Sequence, residues 1–356
     1  MMSVAPSPSP PSPQQSESYV ERRRGSVGSY VPKRKFIVKT DRCGDLTVHV
    51  QGDLTQQEKR AIFLTVHDLG SNHHSWEDFV SLPCMTEVKD RSIFIHVDVP
   101  GHEDNAPPLP DSYQFPSLQV LGEELVSVLD TLHVRYAIGL GEGAGANVIA
   151  RFGLAHPSRT LGLILINCTA SATSVKENFK AKFVNWKGKN AVSQSATEYL
   201  VFHKFGHIID QQLINEANSD KDQIIGEFIK RLQGSINSKN IRPYVAAFLN
   251  RPHLPLKEYK QDILLITGVL GSYANVVEKL HRELDKNKAT LLKIERAGDI
   301  LSEAPAKLAQ SIYCSAKDKD YSPQLHYQVL SDSELSQAAA QTATNQAGGS
   351  HGHEHG

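Results

Sequence analysis

Tyr136-Ala-Ile-Gly-Leu-Gly141-Glu142-Gly143-Ala144-Gly145-Ala-Asn-Val-Ile-Ala-Arg-Phe152 decides the fold. An apolar run enters a glycine-dense turn, and a helix-forming run leaves it. Strand, sharp turn and helix in that order are the context of the G-x-S-x-G nucleophile elbow. Aligning the outer glycines at Gly141 and Gly145 puts Gly143 where the serine of such an elbow stands. Glycine there has a physical sense of its own, because the elbow residue is normally strained and glycine reaches unusual φ/ψ without the cost a side chain brings.

Around this turn, Ile62 to Val66, Ile93 to Val97, Ala137 to Leu140, Leu161 to Ile166 and Ile263 to Thr267 are almost unbroken apolar runs. Continuous runs imply burial on both faces, the mark of a parallel sheet between helices. Phe36 to Lys39 and Leu46 to Val50 read as two strands joined in a hairpin at Arg42-Cys43-Gly44-Asp45, and Leu118 to Leu132 has the apolar spacing of one helix face. The fold class expected is α/β with a mixed, mainly parallel sheet flanked by helices. From about Thr169 to Tyr259 the alternation breaks into helical patterns such as Gln223 to Leu232, which predicts a helical cap insertion above the sheet.

Two further segments fit the same scheme. Thr65-Val-His67-Asp68-Leu69-Gly70 resembles the loop after the third strand that normally shapes an oxyanion hole, and Val97-Asp98-Val-Pro-Gly101-His resembles the Asp-x-Pro-Gly-His loop after the fourth. A hydrolase also needs an acid after a late strand and a histidine near the end. The expected acid position is Gly271, and the sixth-strand alternative, Asn167-Cys168-Thr169-Ala170, has no acid either. The base position after the strand Thr290 to Glu295 falls at Asp299, with no histidine between His281 and His326. Nucleophile, acid and base positions are all vacant, so neither proton abstraction nor an acyl intermediate is expected.

These residues carry a family resemblance. His67-Asp-Leu-Gly-Ser-Asn-His, His96-Val-Asp-Val-Pro-Gly, Tyr113-Gln-Phe-Pro-Ser-Leu118, Gly139-x-Gly-x-Gly-Ala-Gly-Ala146 and Leu163-Ile-Leu-Ile-Asn resemble, in order, the N-myc downstream-regulated (NDRG) family. The resemblance implies an α/β-hydrolase fold without hydrolase activity, in a cytoplasmic protein acting in signalling, differentiation and stress responses through protein partners and phosphorylation. Members of that family usually carry Asp after the glycine of the late strand, whereas Val269 follows Gly268 here. Some are phosphorylated in an Arg- and Ser-containing tail, and this tail has no Arg.

The chain has 356 residues, with 38 Lys+Arg against 39 Asp+Glu, 40% hydrophobic and 22% charged. That suits a sizeable globular core, and the near-zero net charge argues against nucleic-acid binding. The four cysteines form no CxxC, which suits a reducing compartment. No apolar stretch reaches the ~20 residues of a membrane helix. Residues 1–34 read as a disordered Ser/Pro-rich and basic arm, 35–317 as one domain with the cap at about 169–259, and 318–356 as a disordered polar tail.

Arg22-Arg23-Arg24-Gly25-Ser26 suits a basophilic protein kinase, and Ser7, Ser9 and Ser12 each precede proline. The same arginines predict only weak peripheral association with anionic lipid and no stable membrane insertion. Should a pocket survive, it is expected at His67, Asp68, Leu69, Glu142, Gly143 and Ala144, on the carboxyl edge of the sheet. Alternatives are a hydrolase with an unrecognised nucleophile such as Ser71 or Ser272, or a small-ligand sensor using the remnant pocket. No cofactor is expected: Gly141-x-Gly143-x-x-Ala146 matches a dinucleotide fingerprint, but no acid ends the next strand to hold a ribose. No metal is expected either. His67, Asp68, His73 and His74 read as loop and cap residues, and only the tail histidines His351, His353 and His355 as weak metal binders.

Overall fold

The computed structural model describes residues 33–172, 194–206 and 219–317. Eight strands, β1 (Lys33–Lys39), β2 (Asp45–Gln51), β3 (Ala61–Val66), β4 (Ser92–Val97), β5 (Ala137–Glu142), β6 (Thr160–Ile166), β7 (Ile263–Gly268) and β8 (Ala289–Ile294), form one sheet in the order β1-β2-β4-β3-β5-β6-β7-β8. The β1–β2 and β2–β4 pairs are antiparallel, and every pair from β4 to β8 is parallel. The mixed, mainly parallel sheet expected from the apolar runs is therefore present. β1 begins at Lys33, before its apolar alternation does, because main-chain pairing of Lys33 and Arg34 with Gln51 and Val50 needs no apolar side chain.

Period-2 geometry sends successive side chains of each strand to opposite faces. Leu64, Ile95, Leu163 and Leu165 join one core with the cap, while Phe63, Phe94, Ile164 and Ile166 join the other around Trp76, Phe79 and Ile312. The helices are α1 (His73–Val80), α2 (Thr86–Asp90), α3 (Leu118–Glu124), α4 (Val126–Thr131), α5 (Ala144–Ala155), α6 (Gln194–Phe205), α7 (Ser219–Gly234), α8 (Ser238–Leu249), α9 (Ala274–Glu283), α10 (Ile300–Glu303) and α11 (Pro305–Lys317). The single helix expected over Leu118 to Leu132 is divided at Leu125, whose N–H reaches back only three residues to Gly122 O and tightens that turn. Helices α6, α7 and α8 lie between β6 and β7 and make the cap, with no strand among the described residues of that interval.

The glycines around the β5 turn are consumed by close packing. A Cβ on Gly145 would stand 2.2 Å from Val66 O and 2.5 Å from His67 O, and one on Gly141 would stand 2.7 Å from Ala146 N. These obstacles are backbone and cannot rotate away. Gly145→Ala is expected to cost about 2–3 kcal/mol, read as a lower urea midpoint at unchanged slope.

Candidate functional site at the β5 turn

Gly143 takes φ 56°, ψ −116° between β5 and α5, the left-handed region in which glycine escapes the usual steric penalty. Its N–H donates to Ile166 O at 2.9 Å, and its carbonyl starts α5 by accepting from Asn147 N at 3.2 Å. A Cβ built there would lie 2.2 Å from Asp68 Oδ1 and 2.3 Å from Asp68 Oδ2. The space a nucleophile's side chain occupies in such a turn is thus filled by a carboxylate from the β3 loop.

Asp68 Oδ1 accepts from Leu69 N at 2.7 Å and Ala144 N at 2.8 Å. One amide belongs to the loop after β3 and the other to the residue after the elbow, the two positions from which an oxyanion hole is built. In this chain both point at an internal anion. Burial works against the charge of Asp68, but the His203 imidazole, Lys204 and the Ala144 amide together hold its carboxyl below the usual range. His203, on α6, places Nε2 2.8 Å from both Asp68 oxygens and Nδ1 2.7 Å from Tyr273 Oη.

The base position at Asp299 carries no imidazole, and the sequence reading missed that the cap brings His203 to Asp68. Lys204, beside His203 in the chain, places Nζ 3.2 Å from Glu142 Oε1 and 3.3 Å from Asp299 Oδ1, and all three side chains are buried. Burial drives the Glu142 carboxyl well above its usual range, with Asp299 and Asp68 adding to the push and Lys204 opposing it. Both carboxylates raise Lys204 against its own desolvation. A signal for these cap residues was present in Tyr199-Leu-Val-Phe-His203-Lys204-Phe205, since two polar residues inside an apolar run require buried partners.

Burial pushes the His67 imidazole below its usual range, against the pull of Asp98. Its Nε2 accepts from Val99 N at 3.1 Å, so Nδ1 carries the proton and donates to Asp68 O at 2.9 Å. His67, Asp68, Leu69, Glu142, Gly143 and Ala144, the residues expected around a remnant pocket, are all buried. None of them lines the cavity of about 810 Å³ found nearby, whose walls include Asn72, His74, Asp104, Phe228 and Arg231. The Asp68 and His203 side chains occupy the space over Gly143, and the cavity opens beside it, where Gly70, Ser71, Lys204 and Asp299 also line it.

Gly271, at the acid position, has its N–H on Gly268 O at 2.9 Å, and a Cβ there would be 3.6 Å from both Asn167 Oδ1 and Gly298 O. The acid and base loops are therefore adjacent. Asp299, at the base position, accepts from Lys204 and from the Ser302 hydroxyl. Ser272 donates its hydroxyl to Phe202 O, and Ser71 is buried with its N–H on Asp68 O at 3.3 Å. Ser7, Ser9, Ser12 and Ser26 lie outside the described residues. No helix among the described residues is long and apolar enough to cross a membrane.

The profile of the Ndr family matches residues 37–318. The chain belongs to the Ndr family. Among relatives, this Ndr-family chain is 39% identical over 287 residues to the uncharacterized protein ZK1073.1 of Caenorhabditis elegans, covering 79% of this chain and 83% of that one. It is 28% identical over 305 residues to Protein NDRG3 of Xenopus tropicalis, covering 82% and 75%. Among solved structures, a hydrolase from Pseudomonas aeruginosa PA01 superposes with TM-score 0.59 at 22% identity, over 79% of this chain and 97% of that chain. A thermophilic esterase from Thermogutta terrifontis gives TM-score 0.60 at 16% identity, over 79% and 97%. With the sheet and turn described above, these likenesses establish the α/β-hydrolase fold.

Proposed function

We propose that this Ndr-family protein is a hydrolase fold without hydrolase turnover, a cytoplasmic protein that acts in signalling, differentiation or stress responses by binding protein partners. Phosphorylation of the N-terminal arm at Ser26, or at Ser7, Ser9 and Ser12, modulates that binding. One observation carries the loss of turnover: Asp68 stands in the nucleophile's space and holds the Leu69 and Ala144 amides that would otherwise stabilise an oxyanion. His203 does not restore a serine-type triad, because its ring nitrogens face the Asp68 carboxylate and the Tyr273 phenol, and no hydroxyl or thiol stands at the Gly143 turn for it to deprotonate.

A panel of activated esters of short and long acyl chains should show no turnover above buffer with the full chain. Turnover that Ser71→Ala or Ser272→Ala abolishes would overturn this reading. Its binding half is tested by affinity capture with and without residues 1–34 and 318–356, which separates partners of the folded domain from partners of the arms.

A further inference from the structure

Outside the β5 turn, His49 on β2, His73 at the start of α1 and Asp98 directly after β4 converge. His73 Nδ1 lies 2.8 Å from Asp98 Oδ2, and His49 Nε2 lies 3.3 Å from the same oxygen. Ligands of one ion at Zn–N and Zn–O lengths of about 2.0–2.2 Å stand roughly 3 Å apart from each other, so these separations suit a common centre.

We propose that His49 Nε2, His73 Nδ1 and Asp98 Oδ2 form a binding site for a divalent transition ion of the zinc class. Two imidazoles and one carboxylate are the donor set such ions take. Asp98 is oriented for the task, because its other oxygen, Oδ1, accepts from His73 N at 2.7 Å and leaves Oδ2 to the imidazoles. β2 and β4 are paired at Val48 with Val97 and His49 with His96, so two of the ligands rest on or beside adjacent strands of a rigid sheet. The third comes from a helix start fixed by Asn72, whose side chain accepts from His74 N.

The His49 and His73 rings stack with centroids 3.5 Å apart and planes 12° from parallel, so a shared ion requires His49 to tip toward Asp98. The tilt breaks no aligned hydrogen bond at the ligand atom, since buried His49 Nε2 faces Asp98 Oδ2 at 3.3 Å without one. Without an ion, both imidazoles face Asp98 Oδ2 as an ion-paired cluster, and a shared divalent ion would take the place of the protons between them. Glu77, at 3.8 Å from His74 Nδ1 and 3.6 Å from Lys33 Nζ, supplies a further negative charge beside the site, and His74 at 41% side-chain exposure opens it to solvent. Of His67, Asp68, His73 and His74, read from the sequence as loop and cap residues without a metal, only His73 takes part, and its partners His49 and Asp98 lie outside that set.

The test uses the full chain with His351, His353 and His355 replaced by Ala, so that the tail takes no metal. Co²⁺ titration should give a visible d–d absorption band saturating at one equivalent and displaced by Zn²⁺. His49→Ala in that background should weaken Co²⁺ binding at least tenfold, while His74→Ala should leave it within about twofold. His49 is partly exposed, so its loss should not unfold the chain, and far-ultraviolet circular dichroism verifies this. No Co²⁺ binding by the tail-substituted chain, or binding that His49→Ala leaves unchanged, overturns the proposal.

Discussion

Gly143→Ser is expected to destabilise the protein by about 2–6 kcal/mol and to create no esterase activity. Two costs combine. A residue with a side chain at φ 56° carries strain of about 1–3 kcal/mol, and its Cβ meets the Asp68 carboxylate at 2.2 Å, an overpacking cost of about 1–3 kcal/mol. Hydrolases with serine in this turn tolerate the first cost because nothing imposes the second. The two are separated by a double-mutant cycle. Asp68→Gly alone should also destabilise, because the Leu69 and Ala144 amides and His203 lose their common partner. In Asp68→Gly/Gly143→Ser the serine enters vacated space, so the double variant should lose about 1–3 kcal/mol less than the sum of the singles. Urea midpoints of the four proteins give this coupling directly. Strict additivity would show that Asp68 is not what excludes a side chain from the turn.

That cycle also indicates which parts of the site were legible in the sequence. The strands and the turn followed from apolar run length and glycine spacing, which are local properties, and each apolar run between Ile62 and Thr267 lies within a strand. The readings of Gly143, Gly271 and Asp299 rest on the same local signal, being counted from the ends of strands. What fills the site was not. Asp68 reads as a loop aspartate until it is seen that its own loop bends it onto an amide 76 residues away. His203 and Lys204 come from a cap helix whose placement over β5 depends on packing rather than on any local pattern. The His49, His73 and Asp98 cluster was hidden similarly, because β2 reaches β4 only through the antiparallel start of the sheet. Long-range pairing between loops carries no period, and period is what a single sequence displays best.

Lys204→Met should be the most damaging single change in the cap, at about 3–5 kcal/mol near neutral pH. The ammonium lies between Glu142 and Asp299, with side-chain exposures of 9%, 2% and 1% in that order, so water cannot replace it as a partner. Methionine fits the volume, so the loss is electrostatic rather than a cavity effect. The two carboxyls left behind face each other in a buried site with Asp68 close by, and at least one must take up a proton for the cap to close. A carboxyl whose folded pKa is raised above its unfolded value of about 4.3 disfavours folding at pH above that value, and the penalty fades as pH falls toward it. The deficit of Lys204→Met relative to the parent should therefore shrink by at least about 1 kcal/mol between pH 7 and pH 5. Glu142→Gln, by contrast, keeps a neutral group where burial already pushes the carboxyl toward its neutral form, and should change stability by less than about 1 kcal/mol. Adding Asp299→Asn to Lys204→Met removes the stranded charge together with its partner, and should recover more than half of the loss. If Lys204→Met proves as stable as the parent at pH 7, the three groups do not form a buried ion cluster, and the cap is held over the β5 turn by its apolar contacts and by its other polar links, His203 to Asp68, Tyr244 to His67 O and Ser272 to Phe202 O among them.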